Sequence, residues 1–268
     1  PAVCHPDWPD SVDPFLNCAG DQWEYSLLAE WLQQGDVCFD LGANVGLYSC
    51  AALDAVGQTG RVVAVDADPF VCEKLKATAA VLGTDRLLVV HAAVALEDGQ
   101  LTFHVQSDRT ITGEQSLRPT PAQLATSTPI SVPARRLQSL ADLNPSTKPL
   151  GLVKVDIEGA EIGALASAPA PWLGPDGPLW IVEINPGALA RFGAQPVDVT
   201  RHFPSANFQC WLVVKHPYPG HTSATLRPLA AEEKFADSMY YNMIAIPQGE
   251  RWRLRREQLA RFLAPPRT

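Results

Sequence analysis

Two glycines placed directly after a short apolar run constrain this chain more than any other feature. The segment VCFDLGANVGLY (37–48) predicts a buried strand, a tight turn and the first turn of a helix. Gly42 and Gly46 carry no Cβ atom, so the backbone can approach a ligand closely in this turn. A second apolar strand, Arg61–Asp66, ends in a carboxylate twenty residues after Gly46. This arrangement is typical of a site for a nucleotide-type cofactor.

The spacing of the glycines separates two kinds of cofactor. A dinucleotide fingerprint is G-x-G-x-x-G, with a pyrophosphate at the helix N-terminus, and here the middle glycine is missing. Asp40, just ahead of the turn, would repel a pyrophosphate but suits a cationic amino-acid group. S-adenosylmethionine carries such a group and no phosphate. Asp66 could accept hydrogen bonds from its ribose hydroxyls.

Apolar strands alternate with helical segments along most of the chain. After the first two strands, the pattern predicts strands at Leu87–His91, Leu152–Asp156, Leu179–Ile184, Phe208–Val214 and Tyr240–Ile246. This alternation is typical of an α/β fold, in which helices cover both faces of a mostly parallel sheet. Ligands of such sheets bind beyond the carboxyl ends of the strands.

The chain has 268 residues, enough for one large domain with its own core. The sequence predicts an irregular lead-in at residues 1–20, with no secretory signal. It predicts the main domain at 21–250 and a C-terminal helix and tail at 251–268. Within the main domain, an insert at about 98–135 predicts a β-hairpin. The six cysteines show no C-x-x-C spacing, which is typical of a reducing compartment, so we expect a cytoplasmic protein.

Charge and hydropathy argue against two classes of partner. The net charge of −8 disfavours nucleic acid, which needs a basic surface. No apolar run approaches the ~20 residues that a bilayer-spanning helix needs. Several arginines surround Trp252 and predict a solvated amphipathic helix rather than a binding surface. We therefore expect no nucleic-acid and no membrane partner, and the sequence does not predict the oligomeric state.

A second unusual segment is LVKVDIEGAE (152–161). On an extended strand, Lys154, Asp156 and Glu158 would share one face. Burying a lysine and two carboxylates costs free energy unless they pair or serve a site. Two interpretations stay open: an ion pair that fixes the start of the next helix, and a catalytic group.

With both motifs in view, the chain resembles the FkbM family of S-adenosylmethionine-dependent methyltransferases. The matching motifs are D-x-G-A-N-x-G at 40–46, K-x-D-x-E-G-A-E at 154–161 and W-I-V-E-I-N at 180–185. The resemblance covers about residues 22–185. It implies a Rossmann-like class I methyltransferase fold with a seven-stranded sheet. It also implies O-methylation of a hydroxyl on a small-molecule acceptor, a sugar or a secondary metabolite.

The resemblance also assigns candidate cofactor residues. Those around the two turns and the third strand are Asp40, Gly42, Ala43, Asn44, Gly46, Tyr48, Asp66, Ala67, Ala92 and Ala93. We expect Asp40 to accept from the ammonium group of the cofactor, directly or through water. Asn44 and Tyr48 could stabilise the turn instead. The family commonly has Glu-Pro where this chain has Asp66-Ala67, and an aspartate reaches less far toward the ribose.

Methylation of a hydroxyl requires removal of its proton by a general base or with the help of a metal. Asp156 is the first candidate base and Glu158 the second, with Lys154 holding either as a carboxylate. His216 and His221 are alternative bases on a loop.

Some alternatives stay open at this point. Asp156, Glu183 and Asn185 could supply oxygen ligands to Mg²⁺, although a metal is not expected. An N-methyltransferase acting on a small amine is the nearest alternative reaction. An NAD-dependent oxidoreductase and a catalytically silent cofactor-binding protein are the others.

Overall fold

A large β-sheet forms the centre of the molecule. The computed structural model describes residues 24–108, 115–143, 148–215, 225–230, 232–237 and 239–263. In spatial order, the strands of the large sheet are β10 (Thr225–Pro228), β9 (Phe208–Lys215), β11 (Tyr240–Pro247), β8 (Leu179–Ile184), β7 (Leu150–Val155), β1 (Val37–Leu41), β2 (Arg61–Asp66) and β3 (Leu87–His91). The sheet thus has eight strands instead of the predicted seven, because β10 extends its edge.

The direction of the strands confirms the predicted fold class. The five strands from β8 to β3 pair in parallel, whereas β11 runs antiparallel to both β8 and β9, and β10 runs antiparallel to β9. All residues of β1 and β7 are buried, because helices cover both faces of the parallel part. The mostly parallel sheet of a mixed α/β fold is therefore present, with its antiparallel part at one edge.

Helices precede, connect and follow the strands. They are α1 (described over 24–31), α2 (Leu47–Ala55), α3 (Pro69–Val81), α4 (Pro121–Thr126), α5 (Leu137–Ala141), α6 (Glu161–Ala166), α7 (Pro186–Arg191), α8 (Pro196–Thr200) and α9 (Arg253–Leu263), with 3₁₀ turns at Ala170–Leu173 and Glu250–Trp252. Asp68 caps α3, and its side chain accepts from the backbone N–H of Phe70 at 2.9 Å. In the described part of the chain, no helix combines the length and apolar character needed to cross a bilayer.

Each face of the large sheet has its own apolar core. Val37, Phe39 and Leu41 of β1 belong to one core cluster, while Cys38 belongs to the cluster on the opposite face. Successive residues of a strand point to opposite faces, so one strand contributes to both clusters. Burial of one large apolar side chain such as Phe39 contributes roughly 1.5–3 kcal/mol relative to exposure.

A small second sheet stands beside the carboxyl end of β3. It consists of β4 (Ala93–Val94), β6 (Ser127–Arg135) and β5 (Gly99–Gln106); β5 and β6 pair antiparallel and β4 pairs with β6 in parallel. Strands β5 and β6 form the predicted hairpin of the insert, and α4 lies between them in the sequence. This sheet has a core of its own that includes Phe103 and Val132. The insert therefore forms a wall next to the rim of the large sheet.

Helix α9 packs against the residues that precede β1. Not all of its arginines are exposed to solvent. The guanidinium of Arg255 forms a two-pronged ion pair with Asp36, including an Nη2–Oδ1 distance of 2.9 Å, and its side chain is only 11% exposed. Trp252 packs on Trp31 with ring centroids 5.6 Å apart. The prediction of a solvated helix is thus wrong at Arg255, because that cation neutralises a buried carboxylate. The predicted lead-in 1–20 lies outside the described residues.

Candidate active site

A cleft lies at the carboxyl ends of β1, β2, β7 and β8, beside the small sheet. Six of the predicted cofactor residues line it: Gly42, Asn44, Asp66, Ala67, Ala92 and Ala93. Asp156, Glu158 and Glu183 also line it, whereas Lys154 does not. The insert adds Phe103, Gln115 and Leu117, which the motifs did not indicate. The two sequence motifs therefore meet at one cleft, and the insert closes one side of it.

The charged side chains of this cleft are all acidic. Asp66, Asp156, Glu158 and Glu183 line it, and no Lys, Arg or His occurs among the described residues of its wall. Four carboxylates produce a negative potential in a partly enclosed space. Such a cleft attracts a cationic ligand and repels a phosphate or pyrophosphate.

Gly42 is required by the close approach of two loops. Its φ of +76° lies in the left-handed region, and a Cβ atom there would lie 1.7 Å from the backbone oxygen of Asp156. Its N–H donates to the carbonyl of Val65 at 2.9 Å. The glycine therefore allows the turn after β1 to touch the loop after β7, in addition to any contact with a ligand.

Asp66 holds the turn while it faces the cleft. One of its carboxylate oxygens accepts from the N–H of Asn44 and the other from the N–H of Asp68, each at 2.9 Å. Burial raises the pKa of Asp66 to about 6, although these hydrogen bonds oppose the rise. The side chain thus changes charge near neutral pH at the position predicted to bind a ribose.

Asp40 lies beneath the cleft, not on its wall. The side chain is 1% exposed and accepts from the hydroxyl of Ser49 at 2.6 Å. Burial raises its pKa, and the nearby Lys154 cation counteracts that rise. The strand directs Asp40 toward helix α2 and away from the rim. Its hydrogen bond to the ammonium group of the cofactor, directly or through water, stays a prediction.

Lys154 joins this buried carboxylate to the cleft. Its Nζ lies 3.7 Å from Oδ1 of Asp40 and 3.1 Å from Oδ2 of Asp156. The register explains the proximity, because Lys154 of β7 is paired directly with Asp40 of β1. Asp156 is about one third exposed, so the lysine stabilises the carboxylate form of a residue that a ligand can reach.

Tyr48 belongs to the same buried network. Lys154 Nζ lies 4.6 Å from the centre of its ring, and its hydroxyl donates to the carboxylate of Glu24. Glu24 also accepts from the side-chain amide of Asn242. Tyr48 thus has a structural role in this network, the alternative that the sequence left open, and its contact with the cofactor stays a prediction. Ala43 and Gly46 likewise do not line the cleft; Gly46, at φ +84°, precedes α2 and packs against Leu75.

Sequence reasoning missed Glu24, and a signal for it existed. Glu24 is 0% exposed and lies at helical spacing from Leu27, Leu28 and Trp31, all on the buried face of α1. A carboxylate on an otherwise apolar helix face indicates a buried partner. That partner comes from distant parts of the chain, which the local pattern cannot identify.

The loop after β7 differs from the predicted extended strand. The strand ends at Val155, and Glu158 adopts the left-handed region at φ +55°. Oε1 of Glu161 accepts from the N–H groups of Ile157 and Gly159, both at 3.1 Å. Glu161 is 1% exposed, and burial raises its pKa to about 7. This buried glutamate fixes the turn that presents Asp156 and Glu158.

Three carboxylates converge at the end of this turn. One oxygen from each of Asp156, Glu158 and Glu183 lies within 4.8 Å of the other two, an arrangement that could hold a divalent cation or share a proton. Asn185, predicted as a further oxygen ligand, instead caps α7 by accepting from the N–H of Ala188 at 3.0 Å. The alternative bases His216 and His221 lie outside the described residues.

Comparison with known proteins gives one family match. The sequence profile described as the methyltransferase FkbM domain matches residues 40–210. No curated protein sequence matches the chain.

Several solved structures are similar to this chain at low sequence identity. An rRNA methylase from Streptococcus thermophilus has a TM-score of 0.45 and 10% identity, with 85% of this chain and 97% of that chain covered. A methyltransferase FkbM from Methylobacillus flagellatus KT has a TM-score of 0.46 and 13% identity, with 86% of this chain and 60% of that chain covered. A SAM-dependent O-methyltransferase from Thermotoga maritima has a TM-score of 0.41 and 13% identity, with 83% of this chain and 64% of that chain covered.

Proposed function

The chain belongs to the family of methyltransferases with an FkbM domain, and on this premise we propose that it methylates a hydroxyl of a small molecule. S-adenosylmethionine is the methyl donor, and the acceptor is a sugar or a secondary metabolite. The observation that carries this proposal is the acidic cleft where both sequence motifs meet.

The chemistry of the cleft fits this donor. S-adenosylmethionine carries a positive sulfonium and an ammonium group, and four carboxylates line the cleft. Asp66 stands at the end of β2, where it would hold the ribose, and Ala92 and Ala93 would flank the adenine. The side-chain oxygen Oδ1 of Asn44, buried and without a hydrogen-bond partner among the described residues, adds an acceptor on the wall. The dinucleotide alternative is disfavoured, since no described cation of the wall could offset a pyrophosphate.

Methyl transfer to a hydroxyl needs alignment and a proton acceptor. The donor supplies a methyl group on a positive sulfur, which keeps the electron pair of the carbon–sulfur bond as the acceptor oxygen gains the methyl carbon. The chain must remove the hydroxyl proton, and Asp156 is the first candidate base, with Glu158 second. Both are partly exposed in the cleft, and Glu183 lies near enough to share a proton with either.

Lys154 and Asp40 have a positioning role in this proposal. The lysine fixes the direction of the Asp156 carboxyl group through its 3.1 Å contact. Asp40 offsets the lysine charge from below, since a buried cation with one partly exposed partner would be costly.

One observation also supports a second candidate. A cluster of three carboxylates would bind an alkylammonium ion and accept one of its protons, which frees the nitrogen lone pair to take the methyl group, so N-methylation of a small amine is the alternative reaction. A neutral amine is also a stronger nucleophile than a neutral hydroxyl.

Calorimetry tests the proposal. S-adenosylhomocysteine, the demethylated product of the donor, should bind with a stoichiometry of about one, and NAD should not bind. Binding of NAD with no binding of S-adenosylhomocysteine would eliminate the proposal. Mass spectrometry of products from paired alcohols and amines of the same skeleton then distinguishes O- from N-methylation.

A further inference from the structure

A second cavity adjoins the acidic cleft. It lies between the small sheet, helix α6 and the segment that follows α7. The cleft encloses about 180 Å³ and the adjoining cavity about 670 Å³. Val94, Leu117 and Ala160 line both spaces, so the two are neighbours across one shared wall. Glu158 of the cleft directly precedes Gly159, which lines the larger cavity.

The walls of this cavity are mainly apolar. Among the residues that line it are Val94, Leu96, Leu101, Leu117, Ile162 and Phe192. Leu96 is 56% exposed and Leu101 37% exposed, although both are large apolar side chains. Neighbouring exposed leucines beside a concave space indicate a binding site more than a chance surface feature.

Two of the three charged residues of the wall are engaged by the protein itself. The guanidinium of Arg118 lies 4.8 Å from the centre of the Phe192 ring and donates to the carbonyl of Arg191 at 3.1 Å. Asp198 accepts from Arg201 at 2.8 Å and from the N–H of Gln195 at 2.9 Å. These contacts occupy Arg118 and Asp198. The third charged residue of the wall, Glu97, is exposed and can stay hydrated when an apolar body binds.

This composition distinguishes between classes of acceptor. A buried sugar needs a partner for each hydroxyl, and every unpaired one costs about 1–3 kcal/mol. A nucleic acid needs several cations along its phosphates, and Arg118 is the one basic residue among the described residues of the wall. An apolar body would instead lose its contact with water at no such cost.

We propose that the cavity between the small sheet and helix α6 binds the methyl acceptor, and that the acceptor is an alcohol with a bulky apolar body. This inference rests on the proposed methyl transfer. The apolar body lies against Leu96, Leu101 and Phe192, and the hydroxyl points past Ala160 toward Asp156 and Glu158. Because the side chain of Ala160 is small, it leaves room for the hydroxyl to pass from the cavity into the cleft.

A matched pair of substitutions tests the cavity. Ala166→Trp places a bulky ring in the cavity from the exposed end of α6. Leu124→Trp adds a ring at a half-exposed position of α4 that does not line it. The probes are menthol and cyclododecanol as apolar alcohols, methyl α-glucoside as a sugar and a short RNA. Binding is measured by calorimetry with S-adenosylhomocysteine present at saturation.

At least one apolar alcohol should bind wild type and Leu124→Trp alike. Ala166→Trp should weaken that binding by about tenfold or more, since one surplus methylene in an apolar pocket already costs about 10–200-fold. S-adenosylhomocysteine should bind all three proteins equally. The inference is overturned if neither alcohol binds, if both variants behave alike, or if the glucoside or RNA binds more tightly. If the wild-type protein did not bind S-adenosylhomocysteine, the proposed methyl transfer itself would be overturned.

Discussion

The ammonium nitrogen of Lys154 lies 3.7 Å from Oδ1 of Asp40, and both side chains are almost completely buried. The same cation reaches Asp156 on the cleft wall. One lysine therefore couples the stability of the sheet to the charge of a candidate catalytic group.

Removal of that cation should destabilise the fold. Lys154→Met leaves Asp40 as a buried carboxylate without its cation, which typically costs about 3–5 kcal/mol. Urea denaturation measures the loss. Lys76→Met is the control, because Lys76 is an exposed partner of Glu73 and its removal should cost far less. Equal losses for the two variants would contradict the buried role of Lys154.

Substitution of the candidate base should affect turnover and not cofactor affinity. Asp156→Asn should lower kcat by about 10²–10⁴-fold, the usual contribution of a positioned base. Glu158→Gln should have a smaller effect. S-adenosylhomocysteine affinity, measured by calorimetry, reports whether the cleft stays intact. If both variants turned over at the wild-type rate, neither carboxylate would be the base.

Cofactor affinity should depend on pH through Asp66. Its pKa is raised from 3.8 to about 6, so the side chain is largely neutral below that pH and charged above it. A carboxylate accepts more strongly from ribose hydroxyls than a carboxylic acid does, so S-adenosylhomocysteine should bind about tenfold more tightly at pH 7 than at pH 5. Asp66→Asn should remove this dependence. If the affinity of Asp66→Asn still changed with pH, the pH dependence would belong to another group.

Stability should depend on pH through Glu161. Its pKa is raised from 4.5 to about 7, so the folded state binds a proton more tightly than the unfolded state does. The stabilisation is complete below about 4.5 and is lost as the pH rises through about 7. Glu161→Gln cannot ionise and keeps an oxygen for the N–H groups of Ile157 and Gly159.

The melting temperature of Glu161→Gln relative to wild type should therefore increase by roughly 5 °C between pH 5 and pH 8. Calorimetric scans at several pH values measure this difference. Glu73→Gln is a suitable control, because Glu73 is exposed and its pKa is lowered by Lys76. A constant difference across the pH range would show that Glu161 does not titrate in this window.

Two glycines separate backbone conformation from steric contact. Gly83→Ala should cost about 1–2 kcal/mol, because its φ of +59° disfavours a Cβ atom that would meet nothing within 4 Å. Gly42→Ala carries the same conformational cost and also forces the turn away from the backbone oxygen of Asp156. It should be clearly less stable than Gly83→Ala in urea and should bind S-adenosylhomocysteine more weakly. Similar stabilities would mean that the two loops separate easily.

Local patterns predicted the parallel strands well. Strands β1, β2, β3 and β8 begin and end where the apolar runs do, and the helix cap Asp68 likewise acts on a residue close to it in the sequence. These features depend on neighbouring residues in the sequence, which a pattern can detect.

Contacts between distant segments were not accessible in this way. Asp40 was predicted to face a ligand, yet it faces Ser49 and Lys154, because strand pairing and the direction of the side chain decide its surroundings. The left-handed Glu158 broke the expected alternation, since Glu161 pulls the backbone into a turn through its buried carboxylate. Strand β10 was missed because four residues at an edge carry little periodic signal.

The position of β11 between β8 and β9 has a consequence for biosynthesis. β11 is the last strand of the sheet along the chain, yet it supplies the hydrogen-bond partners of both neighbours. While the ribosome is still translating the preceding residues, the edges of β8 and β9 have no such partner. A nascent chain therefore presents two open strand edges, which favour aggregation until β11 has left the ribosome and paired.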